Sequence, residues 1–172
     1  VNQFLQSGEL IGTVMKDVFS NIDIYDDQIR LLQTRFTSPI GKDAIQFYRF
    51  YIVDTVKVDR DSCFHMQFIP NNQQDFGFRG ELWIVKDSTL HVKRCHMQLP
   101  LKSGINFVQN MQIMQTYNRH DDGEWVLTQD DMVAELSLLD FLTKGIIIRN
   151  TRMDGYSFEP LPKKMFKGKM IE

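Results

Sequence analysis

The chain has 172 residues and a mass of 20.2 kDa, with 42% hydrophobic and 24% charged residues, a size and balance that fit one soluble globular domain with a substantial core. A formal net charge of −2 and a pI near 6.1 exclude a chain built to coat nucleic acid, which needs a basic surface. No apolar run reaches the ~18–20 residues of a membrane-spanning helix, no secretion signal opens the sequence, and the start at Val1 predicts a processed protein or a piece of a longer one.

In chain order, the first 45 residues carry the helical signals. In "ELIGTVMKDVF", Leu10, Val14, Val18 and Phe19 fall near helical spacing. "YDDQIRLLQTRF" places Ile29, Leu32 and Phe36 on one helical face, with Asp26 and Asp27 at the end that favours acidic residues. Thr37, Ser38, Pro39 and Gly41 then close this largely helical region.

From Gln46 the pattern is that of strands. "QFYRFYIVDTVKV" is aromatic and β-branched, with Phe47, Tyr51 and Val53 on one face and Tyr48, Phe50, Ile52 and Val56 on the other. "DRDS" at 59–62 makes a turn, and "CFHMQFI" alternates Phe64, Met66 and Phe68 against His65 and Gln67. After a longer turn at 70–75, residues 75–99 read as a hairpin turning at "KDST", 86–89. Within it Leu90 and Val92 share a face, whereas Cys95, Met97 and Leu99 are in the opposite phase. One extra residue near Lys93 and Arg94 restores the alternation, which predicts a β-bulge there. Strands follow at 105–117 and 124–136, joined by "NRHDDG" with Gly123 placed for a positive φ. "GIIIRNTRM" and "YSFEPL" supply a shorter strand and an exit segment.

Strands every ten residues or so, separated by polar turns, indicate an antiparallel meander. The expected architecture is a single α+β domain over 1–172: a largely helical part to about residue 45, a meander over 46–160 and a basic exit segment at 161–172. The sheet is expected to be strongly curved, an open half-barrel covering helices drawn mainly from the N-terminal region.

The chemistry-bearing residues form no recognisable reaction centre. His65, His91, His96 and His120 show no H-x-x-x-H spacing, and a zinc site needs several ligands converging at roughly 2 Å, so no metal site is expected. Cys63 and His65 share a strand face, but no orienting group or oxyanion motif accompanies them. Asp131 and Glu135 would stand about 13 Å apart along a strand, which reads as a solvated face and not a glycosidase pair. "NRHDDGE" lacks the spacing of a calcium loop. No catalytic residue and no cofactor is assigned. Strand pairing puts Cys63 opposite the neighbourhood of Leu82 and Cys95 opposite that of Arg79, about 10 Å apart across two strand steps. Two free thiols are therefore expected, since a disulfide needs Cα atoms within roughly 7 Å.

The apolar residues Phe47, Tyr51, Phe64, Met66, Phe68, Phe76, Phe78, Leu82, Phe107, Met111, Ile113 and Trp125 are assigned to one concave sheet face. Two readings stand: a core packed under the N-terminal helices, or a groove for an acyl chain or other apolar ligand. Nine methionines serve either one, because flexible side chains fill irregular gaps. Lys163, Lys164, Lys167 and Lys169 form a basic run, a solvated tail or, beside a membrane, a contact for anionic headgroups.

The segments "VFSNIDIYDDQIRLLQTRFTSPI", "QFYRFYIVDTVKVDRDSCFHMQFIPNNQQDFGFRGELWI" and "INFVQNMQIMQTYN" together resemble the middle region of a Bacteroidota family of unknown function. The most specific part is "F-x-P-x-N-x-Q-D-x-x-F-x-G-x-L-W-I", Phe68 to Ile84. In long members of that family a secretion signal and a carboxypeptidase regulatory-like domain precede this region and an outer-membrane β-barrel follows it. The resemblance implies a noncatalytic module at the periplasmic face of the outer membrane, with the barrel of the same parent chain as one partner. More distantly, "L-W-I-x-K-D-S-T-L-x-V-x-R" from Leu82 to Arg94 is similar to a hairpin of LolA-like periplasmic lipoprotein carriers. That likeness implies a half-barrel that holds lipid, at the level of fold analogy. A carrier of lipid or lipoprotein acyl chains is the second expectation and a hydrolase the third.

Overall fold

Helix α1 spans Asn2–Val18, as the spacing of Val14 and Val18 predicts, and both of those side chains are fully buried. The computed structural model describes residues 2–99, 108–138 and 143–157. After α1 the expected second helix does not form. Residues 24–37 lead into and build a hairpin of β1 (Gln28–Leu31) and β2 (Thr34–Thr37), paired antiparallel with Ile29 opposite Phe36. Ile29, Leu31, Leu32 and Phe36 are all buried, so the apolar positions were read correctly but their period was not. Gln28–Leu31 alternates exposed and buried, the period of a strand.

The turn of this hairpin departs from the local sequence preference. Leu32 and Gln33 both adopt positive φ, 53° and 60°, the geometry of a two-residue hairpin turn that ordinarily selects Asn or Gly. Two tertiary features offset the local strain. The Leu32 amide donates to Asp17 Oδ2 of α1 at 2.6 Å, and the Leu32 side chain is buried.

A single turn of helix, α2 (Ala44–Phe47), leads into the main sheet. Its strands are β3 (Tyr48–Val58), β4 (Asp61–Pro70), β5 (Arg79–Val85), β6 (Val92–Leu99), β7 (Val108–Arg119), β8 (Trp125–Leu138) and β9 (Thr143–Arg152). Each pairs antiparallel with the next in chain order. The sheet does not close into a barrel, and β3 and β9 are its edges among the described residues. The fold is therefore mostly β, with few helices.

Local signals set several details. Arg94 stands opposite Trp83 and Val92 opposite Ile84, which makes Lys93 the extra residue of the expected bulge. Gly123 has φ of 88° in the β7–β8 turn. At Gly80, the second residue of β5, a Cβ would lie 1.9 Å from the His96 carbonyl oxygen, so only glycine permits this approach of β5 to β6.

The core lies on one face of the sheet. Phe68, Leu82, Cys95, Met97, Met111, Ile113, Met132 and Ala134 share a buried cluster with Val14, Val18, Ile24, Leu31 and Phe36, and α1 lies against β8 and β9. A buried polar network crosses this cluster. Arg149 of β9 pairs with Asp130 of β8 at 2.6 Å and donates to the Ser20 carbonyl at 2.9 Å. Gln115 of β7 donates to the Ile22 carbonyl at 2.8 Å and to Asp130 at 3.2 Å, and accepts from the Tyr117 hydroxyl at 3.1 Å.

Two stability outcomes follow from these contacts. Arg149→Met strands the buried Asp130 carboxylate and lowers unfolding stability by about 3 kcal/mol, read from the urea midpoint at constant slope. Gly80→Ala costs a comparable amount, about 3 kcal/mol, and amide exchange locates the loss in the β5–β6 pairing.

Candidate functional site

The pleat decides which of the apolar candidates share a face. Phe50 stands opposite Phe68, Ile52 opposite Met66, Met66 opposite Leu82 and Phe64 opposite Ile84, so these side chains point to the core side. Phe68, Phe78, Leu82, Met111 and Ile113 are buried there. Phe47, Met66 and Trp125 are partly buried against the same cluster. Tyr51 and Phe76 do not line this face: Tyr51 pairs with Gln67 on the outer side, and both are open to solvent, at 45% and 56%. The expectation that Tyr51 shares a face with the core aromatics fails because alternation puts Tyr48 and Phe50 there instead. Phe107 and the lysines Lys163, Lys164, Lys167 and Lys169 lie outside the described residues.

The centre of the core face is filled by the protein's own α1 and β1–β2 side chains. Toward edge strand β3 the filling is incomplete. Phe50, Phe64, Met66 and Ile84 are half-buried, and Ile52 is 69% exposed. These five side chains make an apolar strip across β3, β4 and β5, with the Lys86 ammonium 5.4 Å from the centre of the Phe64 ring. Phe50 and Ile52 belong to the strip although sequence reading left them out. Their alternation with Tyr51 was visible, but which phase faces the core was not.

The outer face carries the polar chemistry. His65 stacks on Trp83 with ring centres 4.8 Å apart, and Arg94 lies over the same indole at 5.9 Å. The two ring nitrogens of His65 stand 3.1 Å from Asp54 and 3.1 Å from Glu81. The bulge at Val53 brings Asp54 opposite His65. Neighbouring side chains form an open depression of about 250 Å³ over Gln67, Ile69, Arg79, Glu81, His96 and Gln98. His65 has two carboxylates but no nucleophile on its nitrogens. Among the described residues no three of His, Cys, Asp and Glu converge as a metal-holding group.

A third cluster sits at the end of the sheet. His91 stacks on Trp125 at 5.0 Å, Tyr25 and Tyr117 pack against the same imidazole, and Arg119 covers Trp125 at 5.0 Å. Lys93, the bulge residue, is buried yet fully engaged, by Asp61 at 3.0 Å, Asp59 at 3.4 Å and Asn118 at 2.6 Å. Burial holds the Tyr25 phenol up at about 12.

Cys63 and Cys95 are both free and buried. Cys63 stands opposite Val85, not Leu82, and Cys95 opposite Leu82, not Arg79. Val85 and Leu82 differ by an odd number along β5, so the two thiols lie on opposite faces of the sheet. Burial raises both thiols above their ordinary range, with Asp61 adding to the effect at Cys63. Neither is poised as a nucleophile.

Burial also lowers the His91 imidazole below its ordinary 6.5, against a smaller opposing hydrogen bond to the Val92 carbonyl. The unfolded chain then takes up the proton more readily than the folded one. The stability held by neutral His91 is full above about pH 6.5 and falls away as pH drops through the folded value. Denaturant midpoints between pH 7.5 and 5 are expected to decline, and His91→Gln is expected to flatten that slope. In a separate measurement, a disulfide reagent is expected to titrate neither thiol in the native protein and both in denaturant.

No curated protein and no solved structure gives a match to the chain. The family model described as "Family of unknown function (DUF5686)" matches residues 5–153, which takes in α1 from its fourth residue, the β1–β2 hairpin and the whole main sheet. The chain belongs to this family of unknown function.

Proposed function

We propose that this domain is a noncatalytic periplasmic module of an outer-membrane protein, and that it engages an apolar ligand or protein partner along Phe50, Ile52, Phe64, Met66 and Ile84. The observation that carries the reading is the unequal cover of the core face. Its centre is dry and occupied by the protein's own side chains, while the strip beside β3 keeps half-buried aromatics and a 69% exposed Ile52. A patch of this kind beside an open sheet edge is where a soluble domain is expected to meet a partner. The buried, proton-retaining thiols and the carboxylate-clamped His65 support a noncatalytic role. The periplasmic, membrane-attached setting rests on the resemblance of Phe68 to Ile84 and its flanking segments to the region that precedes an outer-membrane barrel.

The finer fold reading, an open half-barrel over helices as in LolA-like carriers, is supported by the sequential seven-strand sheet and by Val14 and Val18 of α1 in its core. The apolar strip favours acyl chains as a second class of occupant. A carrier groove, however, needs the sheet centre free, and Phe68, Met97 and Ile113 are fully buried there.

A photo-crosslinking residue at Ile52 in the full parent protein, in cells, is expected to trap the barrel of the same chain. Met66→Glu is expected to reduce that yield about tenfold, one desolvated charge being worth at least that much. Lipid in the native mass spectrum with no protein crosslink would move the assignment to a carrier. Recovery of the parent protein in the cytoplasmic fraction would overturn the periplasmic setting.

A further inference from the structure

Edge strand β3 presents an exposed apolar stretch at one side of the main sheet. Tyr51 is 45%, Ile52 69% and Val53 50% exposed, and no described strand pairs with the outer side of β3. Edge strands of this length are normally blunted by charge or by irregularity. The charges of β3 are Arg49, Asp54 and Lys57; two of them, Arg49 and Asp54, share the outer face and flank Tyr51 at equal pleat distance once Val53 is bulged out.

The register makes this concrete. The shift between Ile52 and Asp54 makes Val53 an extra residue. Arg49, Tyr51 and Asp54 therefore share the outer face, and Phe50 and Ile52 the core-side face. Let a second β3 run antiparallel with Tyr51 opposite Tyr51. Phe50 then meets Ile52 of the partner subunit on the core side. With Val53 bulged in both strands, Arg49 meets Asp54 of the partner subunit on the outer side. A twofold axis through Tyr51 produces each contact twice, as an isologous interface requires. A slip of two residues in either direction pairs Arg49 with Val56 or Tyr51 instead and loses both ion pairs, so the charges fix the register.

Asp54 remains accessible although one of its oxygens is engaged. Its Oδ1 is engaged by His65 at 3.1 Å while its side chain is 52% exposed, and Arg49 is exposed and makes no ion pair within 4.0 Å among the described residues. We propose that β3 is a self-association edge: two copies of this chain join β3 to β3 into one continuous sheet, with Arg49 and Asp54 of each copy paired across the twofold axis. The dimer shares Phe50 and Ile52 with the ligand or barrel assignment above, but its test reads self-association alone and does not depend on that assignment.

The test uses sedimentation equilibrium of the 172-residue chain and of Arg49→Asp and Asp54→Arg, alone and mixed. Wild type is expected to dimerise in the micromolar range. Each variant alone places like charges across the axis and is expected to associate at least about tenfold more weakly. An equimolar mixture restores opposite charges at both contacts and is expected to recover wild-type association. Both positions are exposed, and circular dichroism with a thermal melt confirms that each variant is folded. A monomeric wild type, an Arg49→Asp variant that dimerises like wild type, or a mixture no tighter than its components would each overturn the proposal. The second of these outcomes would assign any dimer to another surface, such as the β9 edge with its exposed Ile146 and Ile148.

Discussion

The buried contact between Arg149 and Asp130, extended through Gln115 and Tyr117, is the constraint on which the arrangement of the domain rests. A helix end and the loop after it leave carbonyls that need donors. The Ser20 and Ile22 carbonyls find theirs in Arg149 and Gln115, on strands β9 and β7. The ion pair is nearly closed to solvent, where a lone charge would be costly and hydrogen bonds to fixed carbonyls are directional. Apolar packing of Val14 and Val18 alone would hold α1 to the sheet but would not set where it ends. The network sets that point, and with it where the chain turns back into β1 and β2.

The cover of the sheet follows from that anchor. α1 lies against β8 and β9, the β1–β2 hairpin brings Phe36 to within 5.4 Å of Phe78, and Tyr48 ties β3 to the hairpin by donating to the Thr37 carbonyl at 2.6 Å while accepting from the Phe78 amide at 3.1 Å. The apolar surface left over collects beside β3. Ile52 and Phe64 stay partly open at that edge, which is where the proposed interaction surface lies.

The polar outer face does a different job. The row Asp54, His65, Trp83 and Arg94 runs across four strands in register, with charge, stacking and cation–π contacts alternating along it. Cross-strand pairs of this kind tie neighbouring strands together. They also hold His65 between the Asp54 and Glu81 carboxylates, at 3.1 Å from each.

What the sequence determined by itself is what depends on a few adjacent residues. The phase slip between Val92 and Cys95 marked the bulge at Lys93, "NRHDDG" marked the turn in which Gly123 takes a positive φ, and the spacing of Val14 and Val18 marked α1. Strand order followed from short turns, since an antiparallel neighbour is the nearest place for each strand to go. Only the tertiary structure decided the rest. Residues 28–37 form a hairpin because Asp17, fifteen residues before Leu32, supports a turn that Leu and Gln would not choose. Gln115 and Ile22 are 93 residues apart, and Arg149 and Ser20 are 129 apart, beyond the reach of any local pattern. Tyr51 is exposed and Phe50 half-buried because one face of an edge strand has neighbours to pack against. Alternation shows that two faces exist, but only the position of the other elements in space determines which of them is dry.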